Sequence, residues 1–121
     1  NMKLIKSFAL AWNGIKICFT GELNFKVHIL LAAVAVLFGI LFNVSINEWI
    51  IILFCIAFVL AMEMLNTAIE HLSDIVHHDK HPGIKKVKDL AAGAVLVSAI
   101  FSLVTGLIIF VPKIILYFKT I

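Results

Sequence analysis

The 121-residue chain contains no arginine, two cysteines, two prolines and one tyrosine, and only 14% of its residues are charged. Each scarcity excludes something. With no arginine and ten lysines spread along the chain, there is no basic stripe of the kind that grips nucleic acid. Cys18 and Cys55 lie in or near apolar stretches without pairing logic or metal-ligand spacing, so they read as packing residues. No G-x-x-x-x-G-K-[ST] loop and no protein-kinase signature is present, which excludes the common phosphate-cradling loops. Soluble domains carry about 25% charged residues, so about half the usual charge would have to keep this chain in water. What is abundant is hydrocarbon: 63% of residues are hydrophobic and the mean hydropathy is +1.13. The chain therefore reads as an integral membrane protein.

A bilayer core about 30 Å thick needs about 20 residues of helix to cross it. Three stretches qualify, at about 27–43, 49–75 and 90–111, with Pro112 expected to end the third. Before them, in about residues 1–26, Leu4, Ile5, Phe8, Ala11, Trp12, Ile15 and Phe19 recur at three- and four-residue spacing. This is the pattern of an amphipathic helix lying on a membrane surface. No strand alternation competes. The expected fold is one all-α membrane domain, a surface helix followed by three transmembrane helices. Lys3, Lys6, Lys16 and Lys26 precede the first span, and Lys80, Lys85, Lys86 and Lys88 precede the third, so the positive-inside rule puts both stretches in the cytoplasm. The connection from Asn43 to Glu48 has no cation and is expected outside, with Lys113 and Lys119 at that same end. Trp12 and Trp49 read as interfacial anchors.

The informative residues are polar ones in the second span. Glu63, Asn66, Glu70 and Asp74 fall at i, i+3, i+7 and i+11, which at 3.6 residues per turn confines them to one face. An ionisable group at bilayer depth costs at least about 2.5–3.5 kcal/mol, so something must offset an acidic stripe there, and a divalent cation is the simplest candidate. Glu63 lies about 24 Å along the helix from Asn47, just inside the inner interface. Glu22, Lys88 and Asp89 flank the first and third spans at the same level. An intramembrane carboxylate such as Glu63 is by default a functional-site hypothesis and suits a general base. On position alone Asp74 reads as the solvated end of a helix. Asn66 can equally bond a neighbouring helix, and Lys88 with Asp89 can be a plain interfacial ion pair. His71, His77, His78 and His81 match no zinc spacing and read as solvated.

The run Glu63-Met64-Leu65-Asn66-Thr67-Ala68-Ile69-Glu70, with Asp74 beyond it and Lys88-Asp89-Leu90-Ala91-Ala92-Gly93-Ala94-Val95 after, closely resembles the prokaryotic diacylglycerol kinase and undecaprenol kinase family. The likeness covers nearly the whole chain. It implies a homotrimer in the bacterial inner membrane that transfers the γ-phosphate of ATP to a lipid hydroxyl at the cytoplasmic face, with active sites formed between subunits. It further implies Glu63 as catalytic base, Asn66 as a supporting active-site residue, and Glu22 and Glu70 as ligands of nucleotide-bound Mg²⁺. Lys88 would contact phosphate, with Asp74 and Asp89 completing the polar site. Lys3, where the diacylglycerol kinase branch carries an arginine, is counted with the nucleotide-binding residues. That branch also carries Glu where this chain has His28. Glu22-x-Asn24-x-x-x-His28, Asn43-Val44-Ser45 ahead of Glu48-Trp49, and the stretch from Gly106 to Lys113 look like the branch acting on undecaprenol. Undecaprenol is therefore the expected acceptor, with diacylglycerol as the alternative.

Two readings of other classes fit the composition. An acidic stripe can line an ion or proton path, but from Ile50 to Met62 the second span carries only apolar side chains and Cys55, whereas a conductor needs polar groups at every depth. The stripe can also be buried against a partner in a scaffolding subunit.

Overall fold

In the computed structural model, which describes residues 1–77 and 80–121, the described residues form four helices and no strand. These are α1 (Met2–Gly21), α2 (Leu23–Leu41), α3 (Ile46–Val76) and α4 (Pro82–Thr120). His78, one of the histidines read as solvated, and Asp79 lie outside the described residues. Helix is the form that lets an open chain satisfy its backbone polar groups inside hydrocarbon. α2, α3 and α4 are each long and apolar enough to cross a membrane, the expected multi-pass arrangement.

The helix boundaries differ from the sequence reading in three places. First, α1 stops at Gly21 and α2 begins at Leu23, so the break falls earlier than the expected transition after residue 26. Glu22 has extended backbone (φ −115°, ψ 114°). Its N–H donates to the Cys18 carbonyl at 3.1 Å and its own carbonyl accepts from the Lys26 N–H at 3.2 Å, so it closes one helix and opens the next. Hydrophobic periodicity continues through Leu23 and Phe25 and carries no mark of this corner.

Second, the connection between α2 and α3 is shorter than expected. Asn43 takes the left-handed conformation (φ 52°), which its short amide tolerates better than most side chains. The Val44 N–H donates to the Gly39 carbonyl at 3.1 Å and the Asn43 N–H to the Ile40 carbonyl at 3.2 Å, a Schellman termination of α2. Ser45 then caps α3 in a capping box: its hydroxyl accepts from the Glu48 N–H, and the Glu48 carboxylate accepts from the Ser45 N–H.

Third, α4 runs from Pro82 through Pro112 to Thr120, instead of about 90–111. Pro82 sits in the first turn, where a missing N–H costs nothing, behind a His81 cap whose Nδ1 accepts from the Gly83 N–H at 3.1 Å. Pro112 does remove one interior hydrogen bond, but tertiary contacts hold the segment beyond it. Lys113 Nζ lies 3.1 Å from Glu48 Oε2 on α3, and the Tyr117 ring meets Phe42 edge-on, with centroids 6.3 Å apart. The Glu48–Lys113 pair also places both groups at one end of the bundle, as expected.

α3 packs chiefly on α4, with α2 against α3. Val44, Ile52, Ile109 and Phe110 form the buried cluster near the Glu48 end, with Phe38 meeting Phe110 edge-to-face at 5.8 Å. In the small-residue run Ala91–Ala94 at the start of α4, Ala91 is buried while a Cβ on Gly93 would meet nothing within 4 Å.

Gly39 is the tight crossing. A Cβ there would stand 2.5 Å from Trp49 Cη2, so Trp49, besides any anchoring role, closes α3 onto α2 through an aromatic ring that cannot bend aside. Gly39→Ala is expected to destabilise the fold by about 1–3 kcal/mol, read as a lower unfolding temperature in detergent. An unchanged midpoint would mean that the crossing is loose.

At 1.5 Å per residue, α3 is about 46 Å long and α4 about 58 Å, both longer than a bilayer core. The polar residues of the candidate site collect on the half of α3 remote from Glu48.

Candidate active site

α3 carries the site because its helical repeat sets Glu63, Asn66 and Glu70 on the face turned toward the rest of the chain. Glu63 is 2% exposed and Asn66 7%, while Glu70 is half-buried. Asn66 Nδ2 donates to Glu70 Oε1 at 2.9 Å, so the carboxylate is held in place from one turn away. From α2, His28 brings Nε2 to 3.6 Å from Glu63 Oε2. Glu22, fixed at the corner between α1 and α2, lies with Oε1 3.9 Å from His71 Nε2 on α3. Glu22 and Glu70 both lie within electrostatic reach of Glu63, so three carboxylates from two segments share one neighbourhood.

The remaining expected residues divide. Lys88 Nζ pairs with Asp74 Oδ1 at 2.7 Å, tying the start of α4 to the end of α3. Asp74 is thus held in an interhelical pair and is more than a solvated helix end. Lys88 does not pair with Asp89. Asp89 binds Lys85 at 2.6 Å along the exposed surface of α4, so one chain does not bring it to the carboxylates. Lys3 is in the first turn of α1, about 28 Å of helix from Glu22, and is likewise not brought to the cluster. α1 itself docks through Cys18, which is buried. Burial pushes its thiol above the ordinary range, while a hydrogen bond with Thr67 of α3 pulls the other way. Cys18 and Cys55 are both free and buried, the packing role expected of them.

Among the described residues, no three His, Cys, Asp or Glu side chains gather closely enough to hold a metal by themselves. The donor set nevertheless suits magnesium arriving with a nucleotide. Mg²⁺ takes hard oxygen ligands and is usually held by one or two carboxylates plus phosphates and water, seldom by an all-protein cage. Asn66 Oδ1 points the same way: it is buried beside Glu70 without a hydrogen-bond partner, an arrangement that costs about 1–3 kcal/mol until a ligand or water satisfies it.

His28 is the site residue to which sequence reasoning assigned no role. A lone polar side chain in an apolar run is itself a signal. What the sequence cannot supply is its partner, because helical periodicity relates residues within a helix and says nothing about contacts between helices.

An acidic cluster with one deeply buried carboxylate and an amide held against another can take a proton from an alcohol and bind a cation beside it. Comparison with known proteins agrees with that chemistry. The prokaryotic diacylglycerol kinase family matches residues 9–110. The chain is 43% identical over 111 residues to an undecaprenol kinase of Bacillus subtilis, covering 92% of this chain and 90% of that protein. It is 31% identical over 110 residues to a diacylglycerol kinase of Synechocystis, covering 90% of this chain and 63% of that one. A diacylglycerol kinase of Escherichia coli is 24% identical over 107 residues, 88% of each chain. With a match over most of its length, this chain belongs to the prokaryotic diacylglycerol kinase family.

Proposed function

We propose that this chain, a multi-pass membrane lipid kinase by its family, transfers the γ-phosphate of ATP to the hydroxyl of undecaprenol, with Mg²⁺ bound alongside the nucleotide. The observation that carries the reading is the buried Glu63 carboxylate beside the Asn66–Glu70 pair on one face of α3. Glu63 accepts the hydroxyl proton as the lipid oxygen attacks the γ-phosphorus and ADP leaves. Asn66 holds Glu70, and Glu70 with Glu22 holds the metal, which when bound neutralises charge on the phosphates. Lys88 meets phosphate and Asp74 steadies Lys88, as their 2.7 Å contact suggests.

Asp89 and Lys3 complete a site only if a neighbouring copy presents them, which fits a homotrimer with sites between subunits. The lysine distribution favours a cytoplasmic N-terminus and site, in the inner membrane of a bacterium. Identity of 43% with an undecaprenol kinase, together with His28 in place of a carboxylate, favours undecaprenol as acceptor.

The test is to incubate the purified protein in detergent micelles with labelled ATP, magnesium and, separately, undecaprenol, diacylglycerol and ceramide. Undecaprenol is expected to take up label fastest. Faster labelling of diacylglycerol would replace the acceptor, and no labelling of any lipid would remove the proposal.

A further inference from the structure

The carboxylates of the described residues sort by partner. Outside the group formed by Glu22, Glu63 and Glu70 they take lysines: Glu48 with Lys113, Asp74 with Lys88 and Asp89 with Lys85. Inside it they take histidines, Glu22 with His71 and Glu63 with His28, while Glu70 accepts from the Asn66 amide. The proposed kinase chemistry gives His28 no part.

Glu63 is the most deeply buried of these carboxylates. A base enters the reaction as a carboxylate, and a buried charge left without a counter-charge is costly. The groups around Glu63 narrow the choice of partner. Glu70 on its own helix and Glu22 at the corner between α1 and α2 are both acidic, and Cys18 of α1 is a thiol that burial keeps neutral. On α4, Lys88 and Lys85 are held by Asp74 and Asp89. His28 of α2, with Nε2 3.6 Å from Glu63 Oε2, is the described residue paired with Glu63 that can carry a positive charge. Its side chain is 19% exposed against 3% for Glu63, so the imidazole keeps an access to water that the carboxylate lacks.

We infer that His28 is the positioning residue of the base: its imidazolium fixes the Glu63 carboxylate and balances its charge, so that Glu63 meets the lipid hydroxyl ionised. The inference rests on the lipid-kinase reading with Glu63 as base, and it makes His28 act through Glu63. Histidine gains and loses its charge near neutral pH, so turnover acquires a pH dependence that a lysine at this place would not give.

His28→Gln keeps a donor for Glu63 and removes the charge. At saturating ATP, magnesium and lipid, the acid limb of its kcat profile is expected to move to higher pH by about one to three units, the effect of an adjacent opposite charge on a carboxylate. On that limb kcat falls about tenfold or more, recovering at alkaline pH with the lipid KM unchanged. His28→Lys keeps the charge and is expected to hold the limb where the wild type has it, or lower. A loss of equal size at every pH is what a packing role would produce and overturns the inference. A lysine variant whose limb follows that of the glutamine variant overturns it too.

The pair is also readable without turnover and without altering His28. In ¹⁵N-histidine NMR of the wild type and Glu63→Gln, loss of the carboxylate is expected to lower the titration midpoint of His28 by about one unit or more. The same midpoint in both proteins overturns the pairing. If the wild type phosphorylates no alcohol, the kinase reading fails, and this titration still decides whether His28 and Glu63 act as a charge pair.

Discussion

Glu63→Gln is expected to lower lipid phosphorylation by about 10²- to 10⁴-fold while leaving the fold intact, the range by which a positioned general base accelerates a reaction. The side chain is 2% exposed, so a substitution that changed its shape would confound loss of chemistry with loss of packing. Gln has the same size and keeps an oxygen able to accept from His28, 3.6 Å away in the native site. It also removes a buried negative charge from the neighbourhood of Glu22 and Glu70, which relieves repulsion. Thermal stability in detergent is therefore expected to hold or rise as turnover disappears. The checks are label transfer from ATP into extracted lipid and an unfolding curve on the same preparation. Near-native turnover in this variant would remove Glu63 from the base role.

The second large effect is expected at Glu70, and Glu70→Gln isolates it better than alanine. Alanine would strip Asn66 Nδ2 of its 2.9 Å acceptor and leave that buried amide wholly unsatisfied, since its Oδ1 has no partner either. Gln retains an acceptor for Asn66 and loses only the charge that magnesium needs. The magnesium concentration for half-maximal activity is expected to rise about 10- to 100-fold, at least the penalty seen when groups supporting a metal ligand are removed elsewhere. Activity at saturating magnesium should recover in part. A titration curve superimposable on the wild type would exclude Glu70 as a ligand and leave the Asn66–Glu70 pair a structural one.

Particular residues show how far reading the chain in order can reach. The four residues from Glu63 to Asp74 were legible as one face because helical repeat is a property of a single segment, and α3 bears it out. The capping box at Ser45 and Glu48 is likewise local and is spelled in four consecutive letters. Pro112 misled for the opposite reason. Its local cost is real, but the Glu48–Lys113 pair and the Phe42–Tyr117 contact come from segments far away in sequence and carry the helix through.

The sequence by itself determined the solvent, the number of long apolar helices and the acidic face of α3, since composition and periodicity alone govern these. Only the tertiary structure decided that Glu22 occupies the corner between two helices, that His28 stands against Glu63, and that Lys88 takes Asp74 in preference to Asp89. Each of these depends on how far apart two helices lie and how they are rotated. That arrangement is set by side-chain packing, as at Gly39 against Trp49, and no single segment encodes it.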